Sequence, residues 1–135
     1  MSTILQPPGW PRPKGYANGV AAEGRMIFTS GIVGWDESGR FAEGFLPQAR
    51  QALMNIGAIL AEAGAMPQDL VRLTWYIVDI EAYLVSPREL GAIYRACLGS
   101  HFPAMAVVQV VRLVEEQALL EIEATAVIAP PLPAG

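Results

Sequence analysis

Two glutamates stand in the apolar run LLEIEATAV, residues 119–127. Strand alternation puts Leu120, Ile122, Ala124 and Ala126 on one face and Glu121, Glu123 and Thr125 on the other. A carboxylate held in a cleft or interface loses hydration, and its pKa rises towards the range a general acid or base needs. The same spacing fits a solvated outer face on which Glu123 meets a cross-strand partner such as Arg112. Tyr16 leads into the first strand after a proline-rich segment, where its phenol could hydrogen-bond a ligand or simply pack. Ser30 and Gly31 close the second strand, and a glycine there lets backbone N–H groups approach a carbonyl or carboxylate, or marks a bend. His101 is the only histidine, in the stretch HFPAMAVVQV (101–110), with no acidic or sulfur partner beside it. It reads as a residue of a tight connection, not a catalyst. With one histidine and one cysteine, Cys97, no His/Cys metal site is expected, and without a suitably placed histidine a Ser-His-Asp triad has little to stand on. No phosphate loop or nucleophile elbow is present either.

The elements that must position these groups are well punctuated. YANGVAAEGRMIFTSG (16–31) splits at Glu23–Gly24 into two short strands, expected as a hairpin. In GFLPQARQALMNIGAILAEAG (44–64), Phe45, Ala49, Leu53, Ile56, Leu60 and Ala63 recur at helical spacing, with Pro47 suiting the first turn and Gly64 the stop. LVRLTWYIVDI (70–80) alternates, with Val71, Leu73, Trp75 and Ile77 opposed to Arg72, Thr74 and Tyr76. SPRELGAIYRACLG (86–99) carries a capping box, Ser86 with Glu89, and an apolar stripe of Leu90, Ile93, Tyr94, Cys97 and Leu98. Strands at about 104–113 and 118–128 finish the domain. The order ββαβαββ predicts an α+β fold in which two helices cover one face of a sheet.

The other sheet face must then meet something. Charged residues are 16% of the chain, against about a quarter in an average soluble domain. Hydrophobic residues reach 53% of the 135. So much apolar surface on a small domain predicts a homo-oligomer. No apolar run is long enough for a membrane span, because Arg50, Asp69, Arg72, Asp79 and Glu81 interrupt the richest regions. A net charge of −4, with only Arg12 and Lys14 close together as basic residues, argues against a nucleic-acid surface. With no signal-peptide pattern, a cytoplasmic protein is the expectation. The chain reads as one domain over 1–135, with a proline-rich lead-in at 1–13 and a flexible tail at 129–135.

The segments GYANGV, MIFTSG, QARQALMNIGAILAEAG, RLTWYIVDI, HFPAMAVVQV and LEIEATAV together resemble the Rid family (RidA/YjgF-like proteins), in the same order and over about residues 14–128. The resemblance implies a chorismate-mutase-like fold and a homotrimer with its sheets facing inward and ligand clefts between neighbours. It also implies hydrolysis of reactive enamines or imines such as 2-aminoacrylate to a 2-keto acid and ammonia, with no metal or organic cofactor. Carried over by position, the site glutamate is Glu123, the tyrosine Tyr16, and the Ser-Gly pair Ser30 and Gly31. Three binding positions depart from the deaminase-type pattern. Met105 stands where an arginine follows FPA, Val107 where a cysteine is often found, and Gly91 where an asparagine is expected. A guanidinium forks onto a carboxylate, whereas a thioether offers only soft apolar contact. Met105 is therefore read as the wall of a cleft without its polar anchor, or as packing in the trimer core. Two functions stay open: a hydrolase of a small enamine, imine or related metabolite, and a non-catalytic trimeric metabolite-binding protein. The ribonuclease or translation-inhibitor activity attached to some relatives fits poorly with so acidic a chain.

Overall fold

The helical period in residues 45–63 produces α1 (Phe45–Glu62), which buries Ala49, Ala52, Leu53, Ile56 and Leu60 along one stripe. The structure is a computed structural model and describes residues 2–131; the last four residues of the expected tail, 132–135, lie outside the described residues. Pro47 occupies the first turn of α1, where its missing N–H costs nothing. Gly64, at φ 76°, ends the helix in the left-handed conformation. A second helix, α3 (Pro87–Leu98), buries Leu90, Tyr94 and Leu98 at four-residue spacing and packs beside α1. Between them a short helix, α2 (Ile80–Leu84), is capped by the Asp79 side chain, which accepts from the Glu81 N–H.

Both long helices lie on one face of a mixed sheet. Its order is β3 (Arg25–Phe28), β7 (Leu120–Ile128), β5 (Leu70–Ile77), β6 (Ala104–Gln109), with the two-residue β4 (Ile32–Val33) also on β7. β5 and β6 are parallel, so the chain must cross over between them, and α2 and α3 make that crossing. The other pairings in this sheet are antiparallel. Leu73, Trp75, Ile77, Leu120, Ile122, Ala124 and Ala126 point into the core under the helices. The opposite face carries Thr74, Tyr76, Glu121, Glu123 and Thr125, flanked by Met26 and Phe28 at 57% and 66% exposure, and no helix among the described residues covers it.

Four expectations are corrected. The two strands within 16–31 do not form a hairpin with each other. β2 (Gly19–Ala21) pairs with β1 (Thr3–Leu5), while β3 joins β7. Between them Gly24, at φ 145°, lies so close to the Ile128 carbonyl that any β-carbon would overlap it, which leads the chain onto β7 and not back on itself. Val71 is only half-buried, and Leu70 takes the core position instead, because the register slips between Leu70 and Arg72. Ser86 makes no side-chain cap bond. Its N–H donates to the Tyr83 carbonyl of the preceding turn, and its ψ of 46° is not the extended backbone of a capping serine. β6 stops at Gln109 and not near 113, since β5, the strand along which it pairs, ends at Ile77.

The loop after β6 is fastened by Gln48 of α1, a polar side chain only 3% exposed. Its Nε2 donates to the carbonyls of Ala42 (3.1 Å) and Gln117 (3.0 Å), and its Oε1 accepts from the Leu119 N–H (2.8 Å). That tie sets the entry of β7, the strand bearing both glutamates. Among the described residues no helix is long and apolar enough to cross a membrane.

Candidate functional site

At the β6 edge the sheet is not fully covered by helices, and a cavity of about 540 Å³ opens there. Met105 and Val107 lie opposite Leu73 and Trp75 of β5, so their side chains share the helix-side face and reach this cavity. Trp75, Leu90 and Tyr94 are buried and form its floor. Tyr94 stacks on Phe102 with ring centroids 4.9 Å apart, and its hydroxyl donates to the His101 carbonyl at 2.6 Å. Burial pushes the Tyr94 phenol well above its ordinary pKa, so it stays neutral. Tyr83 meets Trp75 edge-on at 6.1 Å, and the Trp75 Nε1–H is buried without a partner among the described residues. Tyr16 is brought to the mouth because the next residue is pinned: the Ala17 N–H donates to the Pro103 carbonyl at 3.0 Å. Two exposed cations, Lys14 and Arg95, complete the rim, and among the described residues no carboxylate lines the cavity. Arg95 folds back one helical turn over Gly91, where a β-carbon would lie 3.3 Å from its Nη1.

The remaining site residues stand elsewhere. Glu123 is on β7, on the sheet face away from the helices, and the Tyr76 hydroxyl donates to its Oε1 at 2.5 Å. That bond raises the Tyr76 pKa, since an ionised phenol could no longer donate and would face a carboxylate. Across from Glu123 the ladder lapses: β3 ends at Phe28 and β4 begins at Ile32. Thr29 bridges the gap, its N–H donating to the Ala124 carbonyl and its hydroxyl accepting from the Ala124 N–H, both at 2.9 Å. Ser30 and Gly31 bulge out of the ladder beyond it. Gly31 lies against the Glu121 carboxylate, which a β-carbon at 31 would displace. Both residues line a second depression at the β4 edge, with Trp35, Asp36, Gln51 and Asn55. The N–H groups of Ser38 and Arg40 hold the Asp36 carboxyl below its ordinary pKa.

The chain thus brings Tyr16, Gly91, Met105 and Val107 into a single pocket. It places Glu123, Ser30 and Gly31 apart from them, on the β7–β4 side of the sheet. His101 is structural: its Nε2 lies 2.7 Å from the Leu70 carbonyl, which can only accept, so that nitrogen carries the proton. Sequence reasoning passed over the aromatic floor, because Trp75 and Tyr94 read as core stripes, and over Arg95, whose four-residue spacing from Gly91 was the available signal. Tyr76 was legible as an outer-face residue but not as the partner of Glu123. Among the described residues no three His, Cys, Asp or Glu side chains converge as metal ligands would.

Residues 11–128 match the family described as Endoribonuclease L-PSP. A Salmonella typhimurium protein named 2-iminobutanoate/2-iminopropanoate deaminase is 37% identical over 116 residues, 83% of this chain and 86% of its own. The Homo sapiens protein of the same name is 35% identical over 117 residues, 85% and 81% of the two chains. Among solved structures, a protein of unknown function of the Rid family from Yersinia pestis superposes with a TM-score of 0.78 at 30% identity, covering 94% of this chain and 98% of that one. The Escherichia coli yjgF gene product gives 0.68 at 32% identity, covering 93% and 98%. With this α+β, chorismate-mutase-like architecture and a match over nearly its whole length, the chain belongs to the Endoribonuclease L-PSP, or Rid (YjgF/RidA-like), family.

Proposed function

We propose that the protein is a Rid-type hydrolase of a small enamine, imine or related reactive metabolite, working as a homotrimer with its clefts between subunits. The observation that carries this reading is the division of the site: the pocket opens at the β6 edge, while Glu123 and Ser30–Gly31 stand on the β7–β4 side. A neighbouring copy that brings its β4 side to the β6 edge supplies what each pocket lacks. Burial of Met26, Phe28 and Val108, exposed on the uncovered face, favours such an assembly. In the cleft Glu123, oriented by Tyr76, positions a water or takes its proton as the oxygen adds to the C=N carbon. Glu123 then hands that proton to the nitrogen, giving a neutral carbinolamine; as its hydroxyl proton passes to the nitrogen the C–N bond breaks, releasing ammonia and leaving a carbonyl product. Tyr16 hydrogen-bonds the leaving nitrogen or a substrate oxygen, and the backbone of Ser30–Gly31 contacts the substrate. The chemistry needs no cofactor.

Two of the relatives are named for 2-iminobutanoate and 2-iminopropanoate. With Met105 where deaminase-type members carry arginine, such small acids lose a contact worth about 2–5 kcal/mol in a desolvated site. The preferred substrate therefore differs from 2-aminoacrylate or its imine. The second reading, a non-catalytic trimer that binds a metabolite, is favoured by a pocket lining that holds no carboxylate among the described residues of one chain. A coupled assay of imine breakdown separates them. Glu123→Gln is expected to abolish turnover while sedimentation still reports a trimer, and full activity in that variant removes Glu123 from the mechanism. Met105→Arg is the companion: 2-iminopropionate hydrolysis gained only with the arginine marks an intact cleft tuned to another substrate.

A further inference from the structure

We infer that Arg95, seated over Gly91, and Lys14 form the anion grip of the β6-edge pocket, and that the pocket takes a carboxylic acid carrying an aryl or similarly bulky apolar group. The inference rests on this pocket being a ligand site, but not on turnover. Charge is the first argument. The chain holds only nine Lys and Arg against thirteen Asp and Glu, yet among the described residues the pocket lining has two cations and no acid. In a partly desolvated rim that imbalance favours an anion. The seat of Arg95 is the second. The missing side chain at Gly91 lets the guanidinium lie back along α3, where even a β-carbon at 91 would sit 3.3 Å from Nη1 and crowd it. Positions 91 and 95 therefore act as a pair, moving a planar carboxylate fork from the sheet to the helix.

The third argument is shape. Trp75, Tyr94, Phe102, Met105 and Val107 line it with aromatic, thioether and aliphatic side chains, a surface that suits an aromatic group. A cavity of about 540 Å³ is far larger than a three- or four-carbon acid requires. Since Lys14 and Arg95 are exposed while Trp75 and Tyr94 are buried, the charged end of the ligand lies at the mouth and its apolar end against the floor. Met105, in place of a cation on the sheet, belongs to that apolar end.

The test is calorimetric, on the full-length protein, with 3-phenylpropionate, propionate and the neutral 3-phenylpropanamide. The aryl acid is expected to bind at least about tenfold more tightly than either analogue. Arg95→Met, which keeps the stem and removes the charge, is expected to lose about tenfold for the acid and nothing for the amide. Unchanged amide binding also shows that the variant is folded. The inference is overturned if the acid does not bind, if propionate or the amide matches it, or if Arg95→Met leaves its affinity unchanged. Glu123→Gln keeps the arms apart. If no imine is turned over but the acid still binds in the Arg95-dependent way, only the hydrolase reading fails. If Glu123-dependent turnover persists without that preference, only this inference fails.

Discussion

Replacing Gln48 with methionine keeps the length of the side chain and removes its amide. In the parent, that amide makes three hydrogen bonds from a nearly buried position: two donated to the Ala42 and Gln117 carbonyls and one accepted from Leu119. At about 1 kcal/mol net for each bond, their loss costs about 3 kcal/mol. The Leu119 N–H left facing a thioether adds about 1–2 kcal/mol, so Gln48→Met is expected to destabilise the fold by about 4–5 kcal/mol. That is a large share of the roughly 5–15 kcal/mol typical of a domain. With an unfolding entropy of about 2.1 cal/mol/K per residue over the 135 residues, Tm falls by about 14–18 °C. Urea unfolding and a thermal scan, at one fixed protein concentration so that assembly does not shift the midpoint, measure it. Gln48→Glu sharpens the test. Its carboxylate accepts from Leu119 but faces two carbonyl oxygens, so its folded pKa is raised. Stability is then highest below the unfolded value of about 4.3 and is lost as pH rises through the folded one. A Gln48→Met protein within 1 kcal/mol of the parent, or a Glu variant insensitive to pH, would refute the reasoning.

Two further expectations concern the sheet. Because the Tyr76 phenol donates to Glu123, its folded pKa lies above the ordinary 10.0. The associated stability is complete below that ordinary value and disappears as pH rises through the folded one. Ultraviolet titration is expected to show Tyr76 ionising at lower pH in Glu123→Gln, with Tyr76→Phe assigning the step; identical titrations in parent and variant would sink the bond. His101→Ala loses the contact with the Leu70 carbonyl and is expected to cost about 1 kcal/mol by urea unfolding with turnover intact. A collapse of turnover without loss of stability would return His101 to the catalytic candidates.

What could be read from the chain follows from how far each signal reaches. The stripe Leu53, Ile56, Leu60 and the alternation Leu120, Ile122, Ala124 are local records of burial, and α1 and β7 formed as those patterns require. Partner choice is not local. Nothing within 16–31 reveals that β2 pairs with residues 3–5, or that Gly24 is pressed against Ile128 from the far end of the chain. The slip at Val71 was hidden for a similar reason, since a single extra residue leaves the alternation apolar on both sides. At the site, Tyr16, Gly91, Met105 and Val107 do converge, although they come from three separated segments. The aromatic floor was not legible, because a buried Trp75 or Tyr94 has the same periodicity whether it faces the core or a cavity.

The separation of Glu123 from the Met105 pocket within one chain has a genetic consequence. In the proposed assembly a lesion at each place damages different halves of different clefts. Two inactive alleles, one altered at Glu123 and one in the pocket, then co-assemble into particles in which some clefts receive a sound half from each. Co-expression restores part of the activity that neither allele has alone, and the two loss-of-function variants behave as complementing, not as members of one group.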